Sequence, residues 1–199
     1  MKVKIKKEGK VESFKLINSW SDVTLETWLK LIDFETGTKT EEAEATLAAL
    51  SDIPKQLVKE LSLSDVAVIM SKIGELQAKQ DTELKRIIEI NDVEYGFHPD
   101  LDSISLGEYA DIEQFIKNGI DSSLPELMAV LYRPIKLKKN DIYIIDAYDG
   151  DIRLRAEEMK QMSAEQVQSA LVFFYTLGKV LSEIMPSFLI QRLKEMKTQ

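Results

Sequence analysis

The sequence predicts an α+β protein, predominantly helical, made of two related units that each begin with a β-hairpin followed by about three helices. Three observations predict this class. Two short apolar runs around a turn open each half of the chain, helix starts with hydroxyl caps follow them, and similar segments recur at an offset of roughly 80 residues. The units are expected at residues 1–80 and 81–199, the second with an insertion at about 135–161 and a C-terminal amphipathic helix.

Each unit is predicted to open with two strands. Residues 2–6 alternate lysine with β-branched residues, Glu8-Gly9 supplies a turn, and residues 11–17 resume the pattern. In the second unit the runs 86–90 and 93–97 flank the turn Asn91-Asp92. Because a two-stranded ribbon buries little surface, each hairpin must pack on helices or pair with another strand.

Helix starts are marked by a serine with an acidic residue or glutamine three positions later, which is the capping-box pattern. Four positions fit, namely Ser62, Ser105, Ser123 and Ser163. Pro54 and Pro134 are expected to end the middle helix of each unit, because the residue before a proline disfavours helical geometry. An apolar stripe from Val167 to Leu181 predicts a further buried helix, which Pro186 should kink or end.

Three pairs of segments indicate a duplicated unit. The pairs are Trp20–Trp28 with Leu101–Tyr109, Leu47–Pro54 with Leu127–Pro134, and Leu61–Val66 with Met162–Val167. The alternative is that helix starts look alike because they share capping chemistry. The third pair aligns only if the second unit carries an insertion, in which residues 142–145 form a β-like run that predicts an extra strand or a docking arm.

Composition narrows the function classes. The chain has no cysteine and one histidine, which removes disulfides, thiolate nucleophiles and most transition-metal sites. A formal charge of -8 disfavours nucleic-acid binding. Neither a membrane-length apolar run nor a signal peptide is present in the sequence, so a soluble cytoplasmic protein is expected. The basic stretches Lys2–Lys10 and Arg133–Lys139 could contact an acidic partner, but solvated edge or loop lysines are the preferred interpretation.

Few residues suggest catalysis. His98, close to Asp100, could act as a base, but no motif places a nucleophile for it, and a loop residue of the second hairpin is favoured. An acidic group comprising Asp146, Asp149, Asp151, Glu157 and Glu158 could bind a divalent cation, yet its spacing does not match a calcium loop, so a solvated turn is favoured. The eight glycines do not gather into a phosphate-binding loop.

Aromatic residues are interpreted mainly as core anchors. Trp20 and Trp28 are expected to anchor the core, and the alternative is an interface role, since aromatic residues are also enriched at the centres of interfaces. The run 173–175 spreads three rings around a helix, which predicts burial on several sides or, as the alternative, an oligomer or partner surface.

Four segments resemble small accessory proteins from the structural gene modules of tailed bacteriophages, most closely tail assembly chaperones and related virion-associated proteins. They are Ser19–Trp28, Leu47–Pro54, Ser105–Tyr109 and Leu127–Pro134. The resemblance implies a protein-binding factor without catalytic residues, metal or cofactor. Its partners would be other phage structural proteins, and its location the host cytoplasm during assembly or the virion.

The predicted partner contact is the terminal amphipathic helix, where Phe188, Leu189, Arg192 and Leu193 would lay an apolar stripe into a groove. One alternative is a structural virion component, such as a head–tail connector, ring or internal protein, forming a homo-oligomer. The remote alternative is a small metal-dependent hydrolase that uses Asp146, Asp149 and Glu157.

Overall fold

The fold is mixed α+β with two sheets, in agreement with the predicted α+β class. The computed structural model describes residues 1–7, 10–33, 38–77 and 83–172. The elements in chain order are β1 (Lys2–Lys7), β2 (Lys10–Lys15), α1 (Leu25–Asp33), α2 (Lys39–Leu50), α3 (Lys55–Val58), α4 (Leu63–Gln77), β3 (Ile87–Ile90), β4 (Val93–Phe97), α5 (Leu106–Asn118), α6 (Leu124–Leu131), β5 (Tyr132–Lys139), β6 (Ile142–Ile145), α7 (Arg153–Met159) and a helix α8 at 164–172.

Both predicted hairpins are present. β1 and β2 form a two-stranded antiparallel sheet by themselves, whereas β3 and β4 belong to a four-stranded antiparallel sheet of order β3-β4-β5-β6. Asn91 and Asp92 both have positive φ, as a tight two-residue hairpin turn requires. The run 142–145 is strand β6, so of the two predictions for the insertion the extra strand is confirmed.

The helix ends predicted at Pro54 and Pro134 are both wrong. α6 ends at Leu131, and Pro134 lies inside β5, because Tyr132 is already extended where it pairs with Phe97 in the sheet. α2 ends at Leu50, and Pro54 instead precedes the first turn of α3. After α2, Ser51 forms an isolated bridge with Leu16, just beyond β2, and after α6, Tyr132 pairs with Phe97 of β4. The local sequence does not show either of these distant pairings.

Most of the predicted caps are confirmed. Ser62, Ser105 and Ser163 each accept a hydrogen bond from the backbone N–H three residues on. Ser123 precedes α6 but makes no side-chain cap, so that prediction is wrong. It is the last residue of the 3-10 turn Asp121–Ser123, and its backbone (φ -115°, ψ 16°) lies outside the extended region that capping residues adopt.

The apolar side chains form two clusters that meet at α1. The first cluster contains Val3 and Ile5 of β1 with Trp20, and the second contains the helix α6 and one face of the four-stranded sheet. Trp28 is half-buried and packs against both clusters, so Trp20 and Trp28 are anchors as predicted.

The two halves of the chain are connected through the start of α8. The N–H of Leu25 donates to the Met162 carbonyl (2.7 Å), and the N–H of Ala164 donates to the Val23 carbonyl (2.7 Å). Leu25 belongs to the second cluster and Ala164 to the first, so each half supplies a residue to the other's core. None of the helices in the described ranges combines the length and apolar character needed to cross a membrane.

Candidate functional site

Three buried ionisable side chains join α5 to the four-stranded sheet. Glu108 lies in the first turn of α5, Arg133 is the second residue of β5, and His98 directly follows β4. Glu108 Oε1 lies 2.8 Å from Arg133 Nη2 and 3.6 Å from His98 Nε2, and each of these side chains is at most 8% exposed. We call these three residues the ionic cluster.

Helix capping orients Glu108. Ser105 donates its backbone N–H (2.7 Å) and its hydroxyl (2.6 Å) to Glu108 Oε2, and the N–H of Glu108 donates back to Ser105 Oγ (3.3 Å). With Oε2 held by the cap, Oε1 faces Arg133. On the sheet side, the N–H of His98 donates to the Leu131 carbonyl (2.8 Å), which places the imidazole beside β5.

The electrostatics of the ionic cluster favour one charge state at neutral pH. Burial raises the pKa of Glu108, but the hydrogen bonds from Ser105 and the charge of Arg133 outweigh burial, and the net pKa lies below its ordinary value. Burial lowers the pKa of His98, the Arg133 charge acts in the same direction, and Glu108 opposes them. The cluster therefore holds a carboxylate and a guanidinium beside a neutral imidazole.

Tyr148, in the loop between β6 and α7, packs over the ionic cluster. The guanidinium carbon of Arg133 lies 5.8 Å from the centroid of the Tyr148 ring, which is a cation–π distance. The Tyr148 hydroxyl donates to the carboxylate of Asp111, one turn further along α5. Burial and the contact with Asp111 raise the pKa of this hydroxyl, so it stays protonated. The loop thus fastens α5 from a second side.

This arrangement is suited to holding a helix in place. Glu108 and Arg133 compensate each other's charge in the interior, the Ser105 hydroxyl donates to Glu108, and all three side chains of the ionic cluster are buried. A buried ion pair of this kind specifies one geometry, since neither partner can leave without stranding the other. His98 is a loop residue directly after β4, as predicted, and it is also buried, with its backbone N–H bonded to the Leu131 carbonyl.

On its other side α5 presents apolar residues to solvent. Leu106 (84% exposed), Tyr109 (48%) and Ile116 (40%) project outward, while Ile112 points into the second cluster. We call the three exposed residues the α5 outer face. Their spacing of three and seven residues places them along one side of the helix. The exposed ion pair Glu113–Lys117 (3.0 Å) lies among them on the same side of the helix. Apolar side chains presented by a firmly held helix are suited to contact a protein partner.

The acidic group from the insertion lines a cleft of about 690 Å³ between the sheet and α7. Its members each lie beside a basic or amide group: Asp146 with Lys136 (3.0 Å), Asp149 with Arg155 (3.5 Å), Asp151 with Arg153 (3.6 Å), Glu157 with Lys160 (2.6 Å) and Glu158 with Asn91 (3.1 Å). In the described parts of the chain, no three acidic or histidine side chains converge closely enough to hold a metal ion. Asp146, Asp149 and Glu157 line one cleft without forming a metal centre.

Several of the sequence predictions fall outside the described residues. These are the partner contact at Phe188, Leu189, Arg192 and Leu193, the aromatic run 173–175, the part of the apolar stripe from residue 173 to Leu181, and the kink or end at Pro186. Arg133 was missed, because it opens a basic stretch that was expected to be solvated, whereas it is buried in β5. Its position between Tyr132 and Pro134, directly after an apolar helix, was the available signal.

No protein-family model, curated protein or solved structure matches this chain.

Proposed function

We propose that this chain is a non-catalytic protein-binding factor in phage particle assembly, most closely a tail assembly chaperone. The observation that carries the protein-binding part is the α5 outer face, where Leu106, Tyr109 and Ile116 remain exposed. The phage context comes from the resemblance of segments such as Ser19–Trp28 and Ser105–Tyr109 to accessory proteins of phage structural modules.

The anchoring of α5 favours this function. The ionic cluster and Tyr148 hold the helix from two sides, so its outer residues keep fixed positions before a partner arrives. A surface that is ordered in advance loses less conformational entropy on binding. An apolar segment of an unassembled tail protein is the class of partner that such a surface fits, because burying it removes aggregation-prone side chains from water.

The partner contact in this proposal includes the C-terminal amphipathic segment with Phe188, Leu189, Arg192 and Leu193. The partners are other phage structural proteins, met in the host cytoplasm during assembly. A structural virion component is the alternative, and the location of the chain in finished particles separates the two.

The proposal also includes an ancestral duplication of the hairpin-plus-helices unit. One observation supports it. Trp20 and Leu101, which begin the matching sequence segments, each also begin a short 3-10 turn, and α1 and α5 start at the same distance after those turns. Shared capping chemistry accounts for part of this likeness. The hairpin β5–β6 has no counterpart in the described residues of the first half.

The test is affinity capture of the tagged chain from cells that produce the phage, followed by identification of co-purifying proteins. Recovery with unassembled tail proteins, together with absence from finished particles, supports a chaperone. Fixed stoichiometry in particles supports the structural alternative. If the tagged chain is recovered neither with unassembled tail proteins nor in finished particles, the proposal is contradicted.

A double substitution tests whether the α5 outer face is the surface that binds the partner. Leu106→Lys combined with Tyr109→Lys should reduce capture of the identified tail protein by at least about tenfold, since each lysine replaces an apolar side chain that the bound partner would bury. The matched control is Leu63→Lys, which alters an equally exposed leucine at the start of α4. Equal capture by both variants would remove the α5 outer face from the proposal.

A further inference from the structure

The hairpin β5–β6 leaves an apolar face exposed. One side of the hairpin carries three exposed apolar residues, Leu137 (67% exposed), Ile142 (79%) and Ile144 (58%). They share this side because Leu137 pairs with Ile144, and Ile142 lies two residues before Ile144 on β6. Tyr143 projects to the opposite side, where it packs over Gly96 and donates its hydroxyl to the Phe97 carbonyl (2.7 Å). The hairpin therefore packs against the rest of the sheet through Tyr143 on one side, and its apolar side chains on the other side are exposed.

Strand β6 is also an open sheet edge. Within the described ranges β6 pairs only with β5, and its four residues, Ile142 to Ile145, carry no charge. The other edges differ: β1 exposes Lys2 and Lys4, and β3 exposes Glu89. Charged residues of this kind prevent edge-to-edge association, so an uncharged apolar edge is expected to be paired.

The backbone of β6 shows which groups are available for pairing. The N–H of Asp146 donates to the Pro134 carbonyl of β5 (2.9 Å). Because backbone groups alternate in direction along an antiparallel strand, Ile144 and Ile142 also face β5. The N–H and C=O of Tyr143 therefore point to the open edge.

We infer that β6 pairs antiparallel with β6 of a second copy of this chain, about a two-fold axis at Tyr143. In this register Tyr143 exchanges two backbone hydrogen bonds with Tyr143 of the second copy. Ile142 lies opposite Ile144 of the second copy on both sides of the axis, so four isoleucines pair with one another. Symmetric, self-complementary contacts of this kind are the commonest in homo-oligomers.

Charge also favours this register. Asp141 lies opposite Ile145 of the second copy, and Asp146 lies opposite Asn140, so no like charges face each other across the axis. Moving the axis to Ile142 places Ile144 opposite Asn140, and moving it to Ile144 places Ile142 opposite Asp146. Each shift leaves one directly opposed pair of isoleucines instead of two, which lowers the stability of the contact.

The contact is small, since one four-residue strand forms its centre. A weak dimer that depends on concentration is therefore expected. The inference is independent of the proposed function, because it uses neither the α5 outer face nor a phage partner.

The first experiment is sedimentation velocity on the full chain from about 1 μM to about 1 mM, which covers the range of weak association. The wild-type chain should pass from monomer to dimer, and Ile144→Lys should raise the dissociation constant at least about tenfold. Leu63→Lys is the control and should leave dimerisation unchanged. A wild-type chain that stays monomeric at the highest concentration, or an Ile144→Lys variant that dimerises normally, overturns the inference.

The second experiment tests the register. The chain has no cysteine, so single variants report a single contact. Directly opposed residues of a non-hydrogen-bonded pair have Cα atoms about 4.5 Å apart, within disulfide range. An equal mixture of tagged Ile142→Cys and untagged Ile144→Cys should oxidise mainly to the mixed dimer. Equal yields of mixed and unmixed dimers would overturn the Tyr143-centred register.

Discussion

The two hairpins at the start of each half arise from similar local patterns and end in different surroundings. β1–β2 remains two-stranded, and its inward residues Val3 and Ile5 enter an apolar cluster. β3–β4 is extended to four strands by β5–β6, and the chain leaving β4 carries His98 into the ionic cluster. The local pattern determines the hairpin, and the segments that follow determine what the hairpin packs against.

The capping boxes give the same comparison at the scale of one helix turn. Thr38 with Glu41 in the first half and Ser105 with Glu108 in the second have equivalent reciprocal hydrogen bonds. The first box is exposed, whereas Glu108 is buried and also pairs with Arg133. Equal motifs should therefore differ in their contributions to stability.

Breaking the buried ion pair should have the largest effect. Arg133→Met leaves the Glu108 carboxylate buried without its cation, which should lower the free energy of unfolding by about 3–5 kcal/mol. Urea denaturation followed by circular dichroism measures this change.

Two controls test the cause. Lys59→Met in the first half removes an exposed pair with Glu44 (3.7 Å) and should cost about 0–1 kcal/mol. Combining Arg133→Met with Glu108→Gln should recover part of the loss, since no buried charge is stranded. If Arg133→Met and Lys59→Met cost the same, the ionic cluster does not stabilise the second half as described.

A smaller effect is expected where the second sheet packs most tightly. A Cβ at Gly96 would lie 2.6 Å from Tyr143 Cδ2 and 2.8 Å from Ile145 Cγ2. Because Tyr143 is also tied to the Phe97 carbonyl, Gly96→Ala should lower the free energy of unfolding by about 1–3 kcal/mol.

Gly74 provides the matched substitution in the first half. It lies inside α4 with open space around its Cα, so Gly74→Ala should raise stability by about 0.5–1 kcal/mol. Thermal unfolding of the two variants should therefore shift the melting temperature in opposite directions. A shift in the same direction would contradict the packing described for Gly96.

The two hairpins, the strand 142–145 and three serine caps could be predicted from sequence, because turn and capping residues act on neighbours within a few positions. The helix ends near Pro54 and Pro134 could not, since backbone pairing with distant residues ends those helices earlier. The ionic cluster illustrates the same limit. The Ser105–Glu108 cap is local and was predicted, whereas the partnership of Glu108 with Arg133 joins residues that only the folded chain brings together.

Removing the capping hydroxyls should have the third-largest effect on the free energy of unfolding. Ser105→Ala removes a cap and a donor to the buried Glu108 carboxylate, so we expect a loss of about 1–2 kcal/mol. Thr38→Ala removes the exposed counterpart and should cost about 0.5–1 kcal/mol. Denaturation midpoints of the two variants measure the difference. A larger loss for Thr38→Ala would contradict the role of burial.

The smallest effect concerns pH and centres on His98 in the second half. Because burial lowers the pKa of His98 below its ordinary value of about 6.5, the unfolded chain binds a proton before the folded chain does. His98 therefore favours folding fully above about pH 6.5 and progressively less as pH falls through its folded pKa, with a slope of at most about 1.4 kcal/mol per pH unit. Glu108, whose pKa is also lowered, acts in the same direction but only below about pH 4.5.

His98→Gln should flatten the curve of unfolding free energy against pH in the range where His98 titrates, and it should leave the part below about pH 4.5 unchanged. Urea unfolding at a series of pH values measures this curve. A variant curve parallel to wild type between pH 7 and 5 would show that the imidazole is not held neutral by its burial beside Arg133.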